Sequence, residues 1–192
     1  MPHPVDVWTV PLVDSESGFV CLSYDETARA NRFKFEKDRM RWSAARSALR
    51  TILARYTGAD PAQIAFAVGA HGKPFLMECA DVEFNLSHAG DWALIAVTRA
   101  IPVGVDIERV RKQLDMAPLL KRLGESDHPG TPHELCQRWT RREARSKAAG
   151  GALFDKLPDS IRAVDLDAPP GYAASVALVG REASVLYCGG NL

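Results

Sequence analysis

The hexapeptide Val103-Gly104-Val105-Asp106-Ile107-Glu108 sets two carboxylates on one face of a short strand. Period-two alternation sends Val103, Val105 and Ile107 to one side, and Gly104, Asp106 and Glu108 to the other. Like charges two residues apart repel unless a cation lies between them. A hard cation such as Mg²⁺ suits that face, because it takes oxygen ligands, needs few carboxylates and leaves room for phosphate and water. Taken alone, the hexapeptide reads first as an ordinary half-buried strand with a solvated acidic face, so the rest of the chain must decide.

A second cluster lies in Trp139-Thr140-Arg141-Arg142-Glu143-Ala144-Arg145-Ser146-Lys147. Helical spacing puts Glu143 and Lys147 on one face, four residues apart. On a free surface such a pair contributes a few tenths of a kcal/mol. Beside Asp106 and Glu108 it would be a third carboxylate for a metal and a cation for a phosphate. Trp139 precedes Glu143 by four residues, so this face is expected to be partly covered. Three acids around one Mg²⁺ leave positions for phosphate oxygens and water, and Mg²⁺ on a pyrophosphate promotes its departure. Arg32, Lys73 and Lys147 could neutralise the remaining phosphates. His88, next to Ser87, could donate to a phosphate or be structural. His128, His133 and Cys136 fit no zinc spacing. Ser87 lacks the G-x-S-x-G context of a nucleophile elbow.

These residues need elements to hold them. Val5–Val10 reads as a strand, Asp14–Gly18 as a turn, and Ser23–Asp25 as the cap of a helical region carrying Arg29, Arg32 and Phe33. The clearest helix runs from about Asp38 to Tyr56, with Ala45, Ala48, Leu49, Ile52, Leu53 and Tyr56 on its buried face and Arg39, Arg46 and Arg50 towards the other. Gly58 ends it, and Asp60-Pro61 opens a short helical turn. Ile64–Val68 reads as a strand and Gly69–Pro74 as a loop. Phe84–Ser87 and Trp92–Thr98 form a hairpin around His88-Ala89-Gly90-Asp91, the second strand buried on both faces. Arg109–Arg122 reads as mostly helical with a break at Pro118. Gly124–Pro132 reads as a mobile surface loop, and Pro132–Ala149 as a second strong helix. Ile161–Leu166, Tyr172–Val179 and Ala183–Cys188 are strands. The fold class is α+β, with residues 1–100 and 101–192 as two subdomains and no sequence repeat between them.

Composition narrows the function. The 192 residues carry 24 Lys plus Arg against 24 Asp plus Glu, which excludes a global nucleic-acid or membrane-surface signature. Residues 25–50 hold eight basic and four acidic side chains, a local excess that could serve an anion or simply be a solvated helix face. The four scattered cysteines form no disulfide framework, which suits the cytoplasm, and no secretion signal or membrane-spanning run is read.

Together the two clusters resemble the signature motifs of the 4′-phosphopantetheinyl transferases of the surfactin-synthetase-activating type. Phe84-Asn85-Leu86-Ser87-His88-Ala89-Gly90-Asp91-Trp92 resembles a third motif of that family, and Gly72-Lys73-Pro74 a fourth. The resemblance implies a pseudo-twofold α+β monomer of two similar halves with the active site in the cleft between them. It implies transfer of the phosphopantetheine arm of coenzyme A to a serine of an acyl or peptidyl carrier protein, releasing 3′,5′-ADP. Asp106, Glu108 and Glu143 would hold Mg²⁺. Glu143 would take the serine proton, directly or through a water, and Lys147 would stabilise the leaving phosphate. Lys73, Ser87 and His88 would bind the coenzyme A phosphates, with Arg32 near the 3′-phosphate. The carrier would present an acidic helix. Arg142 stands where the family usually has Lys, and the segment between Glu108 and Trp139 is shorter than in surfactin-type members. Two alternatives use the same residues: a Mg²⁺-dependent nucleotide pyrophosphate hydrolase, and a catalytically silent module that binds coenzyme A or a carrier.

Overall fold

A computed structural model describes residues 3–12, 21–69, 71–111, 117–122, 130–151 and 155–188. The elements run β1 (His3–Pro11), α1 (Tyr24–Ala30), α2 (Glu36–Thr57), a 3-10 turn (Pro61–Gln63), β2 (Phe66–Val68), β3 (Pro74–Leu76), β4 (Val82–Ala89), β5 (Trp92–Arg99), β6 (Val103–Arg109), α3 (Ala117–Arg122), α4 (Pro132–Ala149), β7 (Ile161–Asp165), β8 (Tyr172–Val179) and β9 (Ala183–Cys188). One sheet has the order β4-β5-β1-β9 and another β6-β8-β7, while β2 and β3 pair by themselves. The α+β class is thus as expected.

Strand alternation builds four layers. Trp8, Val10, Phe84, Ile95 and Val97 face α2 and pack on Ala45, Leu49, Ile52 and Leu53. Their neighbours Val5, Val7, Leu94 and Ala96 face the second sheet and meet Val103, Val105, Ile107, Val176 and Leu178. Behind that sheet, Ala144 and Ala148 of α4 pack on Ile161 and Ala177. The order is therefore α2, first sheet, second sheet, α4. Burial of both sheet faces explains why β5 is a continuous apolar run.

The same connectivity occurs twice. In each half a strand leads to a long helix and then to two further strands, and the last strand sits antiparallel between the other two. β9 departs from this division: it leaves the second half and pairs in parallel with β1. Among the described residues no helix is long and apolar enough to cross a membrane.

Several boundaries differ from expectation, each for a local reason. β4 pairs with β5 as far as Ala89↔Trp92, so His88 lies in a strand and the turn is Gly90-Asp91 alone. Gly90 has φ +54°, the conformation a two-residue hairpin turn needs. β3 begins inside the stretch read as loop, because Pro74, Phe75 and Leu76 pair with β2. β6 extends to Arg109, and Pro118 opens α3 instead of breaking a helix, since a first-turn residue needs no intrahelical N–H donor. Arg32 and Phe33 lie just past the end of α1. The readings at Asp14–Gly18 and residues 124–129, including His128, lie outside the described residues.

Arg50 is the clearest correction within α2. It is 2% exposed instead of lying on the solvent face. Its Nε donates to Glu26 Oε2 at 2.6 Å, and its Nη1 donates to the carbonyls of Pro61 and Ile64 at 2.8 and 3.0 Å. Arg46 donates to the same carboxylate at 2.5 Å, so Glu26 clamps α1 onto α2. Burial opposes the charge on Glu26, but the Ser23 backbone N–H, Arg50 and Arg46 together hold its carboxyl below the ordinary 4.5. A lowered pKa means stability that is complete above the unfolded value and lost as pH falls through the folded one. Glu26→Gln should therefore cost about 3 kcal/mol by urea denaturation at pH 7. The gap between variant and parent should close below pH 4.5.

Gly104 positions the last layer. A Cβ there would lie 2.1 Å from the Ala144 carbonyl oxygen and 2.4 Å from the Ala148 nitrogen, both backbone atoms. Gly104→Ala should destabilise the fold by about 3 kcal/mol or more, because neither strand nor helix can yield locally. A shift of the denaturation midpoint measures this directly.

Candidate active site

Three elements converge at the site: β4 of the first sheet, β6 of the second, and α4. α4 starts cleanly, since Thr131 caps it in a reciprocal box with Glu134 and Pro132 takes the first turn. It ends at Gly150, in the left-handed conformation at φ +64°. Between those ends, close approach at Gly104 lays Glu143 and Lys147 beside Asp106.

Asp106 is 3% exposed. Its Oδ1 accepts the Ser87 hydroxyl at 2.8 Å and the Lys147 ammonium at 2.6 Å. Lys147 also donates to Ser87 Oγ at 3.2 Å, closing a three-member ring from β4, β6 and α4. The other oxygen, Oδ2, is buried without a partner among the described residues. Burial pushes the Asp106 carboxyl up, and Lys147 and Ser87 offset this only in part. Glu108 and Glu143 are half-buried. Burial raises both, Asp106 raises both further, and Glu143 also acts on Glu108. Cys136, beneath this cluster, has its thiol pushed up to about 11 by burial and by Glu108 and Asp106. The site thus concentrates negative charge against one ammonium. Among the described residues, no three His, Cys, Asp or Glu side chains stand close enough to grip a metal as they are.

The remaining candidates are spread around this centre. His88 lies beside a cleft of about 550 Å³ that is also lined by Arg29, Trp42, Arg46, Phe66 and Ser87. Its ring is exposed, yet the surrounding protein, followed by Lys147 and Arg41, lowers its pKa. Arg32 lines an adjoining hollow that shares Asp25 and Arg29 with the cleft. Lys73 donates to the Val103 carbonyl at 3.0 Å and lies 3.9 Å from Glu83, with its pKa lowered by burial. Ser87, Asp106 and Lys147 are therefore directly bonded, Glu108 and Glu143 sit in their field, and Lys73, His88 and Arg32 lie around them.

Two supports were not singled out from the sequence. Asn85 Oδ1 accepts the Val105 N–H at 2.9 Å. β6 is an edge strand, so this N–H has no ladder partner, and Asn85 ties together two sheets that share no ladder at that point. It thereby sets Ser87, two residues on, opposite Asp106. The hairpin end is held separately: Arg41 pairs with Asp91, and the Tyr172 hydroxyl accepts the Asp91 N–H at 3.4 Å. A buried Asn in a strand was the available signal for Asn85. Nothing local marks Tyr172 or Arg41.

Comparison with known proteins gives a consistent picture. A family model described as "4'-phosphopantetheinyl transferase, N-terminal" matches residues 7–100. The chain is 37% identical over 165 residues to the 4'-phosphopantetheinyl transferase HetI of Nostoc sp., covering 78% of this chain and 70% of that protein. It is 31% identical over 139 residues to a 4'-phosphopantetheinyl transferase of Bacillus subtilis, covering 69% and 62%. With Sfp of B. subtilis, also named a 4'-phosphopantetheinyl transferase, it shares 29% over 90 residues, 47% of this chain and 40% of that one.

Asn85→Leu keeps the volume but leaves the Val105 N–H buried and unbonded, an expected cost of about 1–3 kcal/mol. Amide exchange at Val105 should accelerate relative to Val103 and Ile107. Uniform exchange across β6 would show that Asn85 does not hold this strand.

Proposed function

The chain belongs to the 4′-phosphopantetheinyl transferase family, enzymes that transfer phosphopantetheine to carrier proteins, and from that premise we propose how its residues divide the work. The donor is coenzyme A and the acceptor is a serine of an acyl or peptidyl carrier. The serine oxygen attacks the phosphorus on the pantetheine side of the pyrophosphate. The phosphoanhydride bond breaks, and 3′,5′-ADP leaves with the bonding electron pair. Glu143 accepts the serine proton, directly or through a water, and its raised pKa suits a general base. Lys147 neutralises charge on the departing phosphate.

Asp106, Glu108 and Glu143 would hold Mg²⁺. Bound there, the ion would neutralise pyrophosphate oxygens and so favour their departure. The observation that carries this reading is the lone Oδ2 of Asp106, a buried carboxylate oxygen with no donor among the described residues, set near two further carboxylates. All three are hard oxygen donors whose charged forms burial disfavours, with Asp106 adding repulsion on Glu108 and Glu143, and a divalent ion would favour the charged forms. Lys147, now on Asp106 Oδ1, would exchange that partner for phosphate.

Ser87 and His88 would contact coenzyme A phosphates, joined by Lys73 once released from the Val103 carbonyl. The cleft beside His88 has the size and the mixture of aromatic and guanidinium groups for the nucleotide end, with Arg29 in its lining and Arg32 in the adjoining hollow. The repeated connectivity supports a pseudo-twofold arrangement of residues 1–100 and 101–192, with β9 returning to the first half. A monomer, a carrier with an acidic helix and a cytoplasmic setting for four free thiols belong to the same reading. The hydrolase and silent-module alternatives gain nothing from the relatives, all named as transferases.

Apo carrier protein incubated with coenzyme A and Mg²⁺ should gain one phosphopantetheine by mass. Asp106→Ala should abolish the gain while circular dichroism stays unchanged. A fully active Asp106→Ala protein would remove the metal role, and release of 3′,5′-ADP without carrier would favour hydrolysis.

A further inference from the structure

Helix α4 carries four arginines on the face away from Glu143 and Lys147. Arg138, Arg141, Arg142 and Arg145 stand at i, i+3, i+4 and i+7, one stripe about 10 Å long at a rise of about 1.5 Å per residue. At about 100° per residue, Glu143 and Lys147 lie roughly 160° round the helix from this stripe. Arg162 of β7 joins it across a groove of about 440 Å³, floored by Ile161, Ala163 and Val164. Five arginines thus share one concavity with two carboxylates, Asp159 and Glu182.

Three of the five guanidinium groups are held in place. Arg142 Nη2 donates to the Asp155 carbonyl at 2.6 Å, and Arg145 Nη2 to the Pro158 carbonyl at 3.3 Å. Arg141 pairs with Asp165, which Gln137 fixes at 2.9 Å. Arg145 Nε is buried with no acceptor among the described residues. Anchored forks lose little side-chain freedom when an anion arrives, and their geometry matches phosphate oxygens.

We propose that this groove between α4 and β7 binds a small phosphorylated ligand of the nucleotide class. The apolar floor accepts an organic group beside the phosphates. Asp159 and Glu182 can accept from its hydroxyl or amino groups, whereas they would repel an extended acidic peptide. This binding does not depend on the transfer reaction, since it uses none of the residues assigned to that chemistry.

Calorimetry without divalent ions tests it with two probes, ADP and inorganic pyrophosphate. Asp106→Ala should retain binding of both, and Arg138→Gln/Arg162→Gln should weaken both at least tenfold. That double variant should modify carrier protein at the parental rate if the transfer reading holds. Loss of the transfer reading alone would leave the binding result standing. Amide exchange on the unaltered protein gives a second readout: ADP should protect residues 158–164. The proposal is overturned by unchanged affinity in the double variant, by no protection of that segment, or by hexaglutamate binding more tightly than either phosphate probe.

Discussion

The close seating of α4 over Gly104 is the constraint on which the site depends. A hydrogen in place of a Cβ lets the backbone of Ala144 and Ala148 rest on the strand. Ala144, Ala148 and Ala177 continue the same small-residue interface. Close packing brings Lys147 within 2.6 Å of a carboxylate on the neighbouring strand position. A larger residue at 104 would lift the helix and separate the ammonium from Asp106, Ser87 and their neighbours.

That contact is linked to a second one between the halves. Asn85 closes the gap between sheets that share no ladder at that point, and Ser87 follows it in register. The polar cluster is therefore not a surface array but the seam of two packed layers. Burial there raises the carboxyl groups, and Asp106 Oδ2 has no donor among the described residues. Such a seam costs stability, because three carboxyl groups share one ammonium in a buried place. Proteins tolerate that cost where chemistry requires groups held out of water and aimed at one point.

Much of the fold was legible because the signals were local. α4 and β8 fall at the residues that capping, glycine and apolar runs predict, and β9 likewise. Misreadings cluster where tertiary contact overrides pattern. Arg50 looks like a solvent-facing residue on a helical wheel, yet Glu26 and three carbonyls from the segment after the helix take it inside. His88 looks like a turn residue because Gly90 follows so closely, yet cross-strand pairing carries β4 one residue beyond it. β3 is too short for periodicity to show, and exists because β2 offers it a partner.

The sequence by itself determined the inventory: two acids on one strand face, an acid and a lysine four apart on a helix, and the motif order that marks the family. Periodicity and composition suffice for these, since both are properties of neighbouring residues. Tertiary structure alone decided which groups touch. Ser87, Asp106 and Lys147 are separated by 19 and 41 residues and meet only because two sheets and a helix pack at one seam. It also decided that Lys73 rests on the Val103 carbonyl and that Glu108 and Glu143 stand near Asp106 without gripping a common point. The arginine stripe shows the same division: its spacing is written in the chain, but the groove exists only where β7 stands opposite.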